Sequence, residues 1–197
     1  MAAVTVAALV PETRATVLIA LVVALLASPR FPVLLWPAAA VIPAMVNLVW
    51  GTLPPPTTSD LAWCPDPLSP PALWRVGEAL AVFAVVGLLM QRLGSSGRDI
   101  GLVRPSRALL VHSLAAAVAV AIGSLVLGTI AAAPFFGTVE LKLDDPRAIL
   151  PALMLAIANG SMEEVAYRGA MLGWLTPSLG FRGALLAQAL VFGAAHG

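Results

Sequence analysis

Residues 161–170 read SMEEVAYRGA, and they put Glu163, Glu164 and Arg168 between two uncharged stretches, AILPALMLAIANG and AMLGWL. On a helix with 100° per residue, Glu164 and Arg168 lie four positions and about 40° apart, so they can pair. Glu163 is turned about 100° from Glu164, with Asn159 and Tyr167 one turn either side on nearly its own face, and it has no charged partner nearby in sequence. A charged side chain at the centre of a membrane helix costs roughly 2.5–3.5 kcal/mol, which makes an intramembrane ionisable residue a functional candidate by default. A second candidate lies in LVFGAAHG, residues 190–197, where Phe192 and His196 share a helix face. If helices 148–175 and 182–197 are antiparallel neighbours across a short turn, Glu163 and His196 both stand roughly 18–21 Å from that turn and can face one another.

A carboxylate and an imidazole that meet in a wet cavity can activate water. Glutamate would act as general base, and histidine would orient the water, hold a metal or donate to a developing oxyanion. Glu163 and His196 would be the ligands of a divalent metal such as zinc, if one is used, but two are fewer than the three a hydrolytic zinc site takes. Glu164 is a poor third ligand if Arg168 holds it. Plainer readings compete: a structural ion-pair network, a histidine satisfied within its own helix, or a proton relay in a transporter.

The elements that must position these groups are apolar throughout. Hydrophobic residues make up 60% of the 197 and charged residues only 11%, with mean hydropathy +0.96. A soluble domain carries about 25% charged residues. The composition therefore predicts an all-α fold, a polytopic transmembrane helix bundle with the lipid bilayer as its surroundings. Candidate spans cover 12–28, 31–53, 72–91, 107–133, 148–175 and 182 to the end: about six, the last incomplete. The first resembles a signal peptide but has Glu12 beside Arg14 and runs straight into another apolar segment, so it reads as a span. Pro32, Pro37 and Pro43 predict a kinked second span. The fourth span, rich in Ala, Gly and Ser, is expected to pack closely on its neighbours.

Three regions follow: an N-terminal pair of membrane helices (1–53), a Pro-rich external loop (54–71) and a core bundle carrying the chemistry (72–197, strongest over 148–197). Net charge of +1 gives no field for nucleic acid, and the single Cys64 excludes an internal disulfide and any multi-cysteine metal site. Loop 92–107 holds four arginines against Asp99, whereas loop 54–71 holds Asp60 and Asp66 and no base. Positive charge marks the cytoplasmic side, which puts 92–107 inside, 54–71 outside and the N-terminus outside. Arg75 and Glu78 read as a partly wet structural ion pair at the outer end of the third span. His112 reads as an interfacial anchor.

EEVAYRG resembles the E-E-x-x-x-R signature, and FGAAH the F-x-x-x-H signature, of the CPBP intramembrane proteases, also called the Abi or type II CAAX prenyl endopeptidase-like family. DIGLVRPSR resembles that family's Gly-Leu…Pro approach to its core. The resemblance implies a water-filled cavity within an all-α membrane bundle and hydrolysis of a peptide bond in a membrane-associated protein or peptide. It implies Glu163 and His196 as catalytic, with Glu164 and Arg168 in support. The family's further H-x-x-x-N/D motif is missing, and neither His112 nor Asn47 has its spacing. The expectation is therefore a chain truncated before the third motif and inactive as it stands. A non-enzymatic binding or immunity module that kept the fold is the main alternative, and a proton-coupled transporter the lesser one. Arginine far in excess of lysine, with much Ala, Val and Pro, points to a GC-rich bacterial genome and a multi-pass protein of the cytoplasmic membrane.

Overall fold

The computed structural model describes residues 2–53, 70–136 and 149–196, so most of the Pro-rich loop expected at 54–71 lies outside the described residues. The described residues are helical, without a strand: α1 (Ala2–Leu9), α2 (Arg14–Ala27), α3 (Leu35–Trp50), α4 (Pro70–Leu93), α5 (Arg107–Phe136), α6 (Ile149–Glu163) and α7 (Leu172–His196). The chain divides into two compact units, one of residues 1–102 and 147–197 and one of residues 103–146. The second unit contains α5, in which the His112 ring nitrogen Nδ1 bonds the Ala108 carbonyl at 2.7 Å.

Three helical stretches among the described residues are long and apolar enough to cross a membrane: Pro32–Trp50, Leu73–Leu93 and Leu153–His196. Six were expected; the one at 107–133 lies within α5, a helix of 30 residues, and two further differences have physical causes. The span expected at 12–28 forms a helix of 14 residues, about 21 Å long and shorter than the roughly 30 Å of a bilayer core. The stretch from Leu153 onward joins two expected spans, because helix resumes directly after a break at Gly180 (φ 67°, ψ 164°), a conformation that favours glycine. An unbroken helix would hold Glu163 and His196 about 50 Å apart. They touch instead, so the chain folds back at Gly180, as the Pro177–Arg182 turn signals predict.

Sequence periodicity leaves three features unannounced. Helix α1 forms before Pro11, and Val4, Ala7 and Ala8 are buried in the core. Arg14 caps it: Nε donates to the Ala7 carbonyl at 3.1 Å, Nη2 to the Ala8 carbonyl at 2.9 Å and Nη1 to the Leu48 carbonyl of α3 at 3.1 Å. These are helix C-terminal carbonyls, costly to leave bare away from water. Between α6 and α7 the helix widens into a π-helical segment, Glu164–Met171, instead of continuing as the one α-helix expected over 148–175. Finally, the turn Gly97–Ile100 packs its backbone against Gly169 and Gly173, four residues apart on one helix face. The Trp174 indole N–H donates to Ser95 Oγ at 3.0 Å beside it.

That turn is closed by a capping box. The Ser96 N–H donates to Asp99 Oδ2 at 2.6 Å, and these hydrogen bonds hold the Asp99 carboxyl below its ordinary range. The sign follows: the contribution is complete above the ordinary carboxylate pKa and is lost as pH falls through the lowered one.

Candidate active site

A cavity of about 310 Å³ opens within the first unit, between the start of α4, the end of α3, the last turn of α6 and the end of α7. Glu163, Asn159 and His196 line it. His196 Nε2 lies 3.4 Å from Glu163 Oε1, across 33 residues of sequence. The structure thus brings together the two residues whose equal distances from the turn predicted a meeting. The carboxylate is mostly shielded, at 23% side-chain exposure.

Each group is aimed by a local contact. Asn159 Nδ2 donates to Glu163 Oε1 at 2.7 Å, from one turn earlier on α6, so the glutamate does have the local partner that charge pairing failed to reveal. His196 Nδ1 bonds the Phe192 carbonyl at 2.9 Å. A carbonyl can only accept, so Nδ1 carries a proton, and the other ring nitrogen, Nε2, is turned toward Glu163. The Phe192 ring lies 4.2 Å from the His196 ring and meets the Tyr167 ring edge-on at 5.2 Å, which fixes the imidazole plane. A carboxyl group and an imidazole edge thus stand side by side, close enough to hold one water molecule between them.

Glu164 and Arg168 form the expected ion pair, but on the exposed side of the π segment, and neither lines the cavity. Exposed pairs contribute about 0–1 kcal/mol. Three residues that sequence reasoning set aside do line it: Asn47, Arg75 and Glu78. The Arg75–Glu78 pair is partly wet, as expected, on its Arg75 side, where the side chain is 48% exposed, whereas the Glu78 side chain is only 1% exposed. Glu78 Oε2 accepts from Arg75 Nη1 at 2.6 Å and Oε1 accepts from Asn47 Nδ2 at 2.8 Å. Asn47 Oδ1 in turn accepts from the Tyr167 hydroxyl at 3.0 Å. The one available signal was the presence of Asn47 and Glu78 in apolar helices, where polar side chains need partners.

This network makes a checkable prediction. Tyr167→Phe deletes one hydrogen bond and leaves the Asn47 carbonyl oxygen without its donor, so stability should fall by about 1–2 kcal/mol in thermal or denaturant unfolding.

Among the described residues no three His, Cys, Asp or Glu side chains converge as a metal site. Glu163 and His196 supply two donors, and Asn159 spends its amide N–H on Glu163. This donor set does not fit a three-ligand zinc site, so the chemistry of the pocket is derived from its own side chains.

No curated protein and no solved structure matches the chain. Residues 145–197 match the family described as type II CAAX prenyl endopeptidase Rce1-like. The matched segment holds both sequence signatures and both members of the Glu163–His196 pair. Over residues 145–197 the chain is thus similar to the type II CAAX prenyl endopeptidase Rce1-like family.

Proposed function

We propose that this protein is an intramembrane endopeptidase that hydrolyses a peptide bond in a membrane-associated protein or peptide. The observation that carries the reading is the Glu163–His196 contact on the wall of a polar cavity, set among apolar helices. Glu163 accepts a proton from a water molecule while His196 Nε2 accepts its other hydrogen bond. The water oxygen attacks the scissile carbonyl carbon, and the carbonyl π pair moves onto oxygen. As the pair returns, the C–N bond breaks and Glu163 gives its proton to the departing nitrogen. The reading is tested by peptide hydrolysis with the protein in liposomes, comparing wild type with Glu163→Gln.

The same reading places the protein in the cytoplasmic membrane of a bacterium as a multi-pass protein, and charge gives its orientation. Arg30, Arg92, Arg98 and Arg182 are exposed at the helix ends opposite the cavity: after α2, at the end of α4, in the turn docked on Gly173 and after the Gly180 reversal. The cavity end carries Arg14, bound to three carbonyls, and Arg75, paired with Glu78. Positive charge stays inside, so the cavity opens on the external face. In a Cys64→Ser background, Thr52→Cys should react with a membrane-impermeant maleimide in intact cells, and Arg182→Cys only after permeabilisation. The reverse labelling pattern would refute the orientation.

A further inference from the structure

Four arginines of the first unit lie at the helix ends away from the cavity, and the described residues leave all four unpaired. Arg30 follows α2, Arg92 sits in the last turn of α4, Arg98 in the turn docked on Gly173, and Arg182 just past the Gly180 reversal; each is exposed. The ion pairs among the described residues belong to Arg75, Arg168 and His196, and no described residue hydrogen-bonds the side chains of these four. The acid beside them, Asp99, is occupied within its own turn. Its Oδ2 accepts from the Ser96 N–H at 2.6 Å, the Ser96 hydroxyl at 2.9 Å and the Ser95 hydroxyl at 3.3 Å. Positive charge therefore dominates this end of the helices. Apolar rings flank two of the arginines: Phe31 follows Arg30 and Phe181 precedes Arg182, and both rings are exposed. An exposed aromatic ring beside a guanidinium suits the boundary of a bilayer, where the ring lies among acyl chains and the arginine reaches outward to the headgroups.

We propose that this end of the protein binds anionic phospholipid headgroups, with Arg30, Arg92, Arg98 and Arg182 as the contacts. A guanidinium takes phosphate oxygens through two parallel N–H bonds. The phosphate alone does not give the preference, because a zwitterionic headgroup has one too. In phosphatidylcholine the choline cancels the charge, whereas in phosphatidylglycerol the charge remains to meet the unpaired arginines. Each basic residue near an anionic surface gains enough attraction to raise affinity about fivefold. The attraction is between exposed charges, so salt weakens it.

A reporter is built in. Trp36 lies in the first turn of α3, just after the Arg30–Phe31 corner, and is half-buried, whereas Trp50 and Trp74 pack together at the opposite end. The full chain is reconstituted in vesicles of phosphatidylcholine and phosphatidylglycerol in which one lipid or the other is brominated. Quenching of Trp36 is the difference between each protein and its Trp36→Phe counterpart. At low salt phosphatidylglycerol should be preferred near Trp36 by about fivefold or more. The preference should vanish at about 1 M salt, where charges act over only about 3 Å. Replacing all four arginines by lysine should keep most of the preference. Replacing them by glutamine should abolish it, while the quenching left in the Trp36→Phe counterparts stays unchanged. Should the glutamine protein fail to fold, the salt dependence of wild type decides, together with Arg98→Gln and Arg182→Gln, each of which should lose part of the preference. Equal quenching of Trp36 by the two lipids in wild type, a preference that survives salt, or one retained by the folded glutamine protein would overturn the proposal. No readout here depends on peptide cleavage, so the lipid surface and the hydrolytic reading stand or fall separately.

Discussion

Glu163→Gln is expected to reduce peptide hydrolysis by at least about 10³-fold, roughly 4 kcal/mol of transition-state stabilisation. The substitution removes the proton acceptor and little else. Glutamine has the same shape, and its carbonyl oxygen can still accept from Asn159 Nδ2, the contact that orients the side chain now. The helix before it and the π segment after it do not depend on the charge, because the nearby ion pair belongs to Glu164 and Arg168. Helical content and unfolding temperature should therefore stay close to wild type. Initial rates on a membrane-inserted peptide, with circular dichroism as the folding control, make the measurement. A Glu163→Gln protein that keeps more than a tenth of the wild-type rate would remove Glu163 from the chemistry.

Gly173→Ala is expected to be the most damaging small substitution away from the cavity. A Cβ at position 173 would overlap the Asp99 carbonyl oxygen and lie 3.2 Å from Ile100 Cα, so backbone must move rather than a flexible side chain. Overpacking of this kind costs about 1–3 kcal/mol or more, equivalent to a fall of several degrees in unfolding temperature for a chain of this size. The damage should spread to activity, because the displaced turn braces the π segment that follows Glu163. Gly169→Ala meets the Ile100 carbonyl at 3.0 Å and should cost less. Gly87→Ala is the control. Nothing lies within 4 Å of its Cβ, and alanine is the better helix former by about 1 kcal/mol. Thermal unfolding in detergent, followed by fluorescence of the buried Trp174, distinguishes the three. Equal stability of the Gly173→Ala and Gly87→Ala proteins would mean that the turn does not pack on this helix.

Much of the chemistry was legible from residue order. Helical spacing paired Glu164 with Arg168. Pro177 and Gly180 marked the reversal, and equal rise on either side of it predicted that Glu163 would meet His196. These are local properties, set by 1.5 Å per residue and by the cost of charge in an apolar segment. The E-E-x-x-x-R and F-x-x-x-H patterns likewise located the segment that the family match covers.

Only the tertiary structure decided what surrounds the pair. It turned Asn47, Arg75 and Glu78 into the same cavity and joined Asn47 to Tyr167 across 120 residues. It left Glu164 and Arg168 outside, and it docked the 97–100 turn into the Gly169–Gly173 notch. In a soluble helix the polar face shows which side meets water, so the inner face can be read from the sequence. These helices are apolar on nearly every side, because lipid and protein interior are equally apolar. The sequence therefore says that Glu78 needs a partner but not which helix turns toward it. That choice is made by side-chain packing between segments far apart in the chain, and it separates a lone acid on a helix from a buried carboxylate anchoring Arg75.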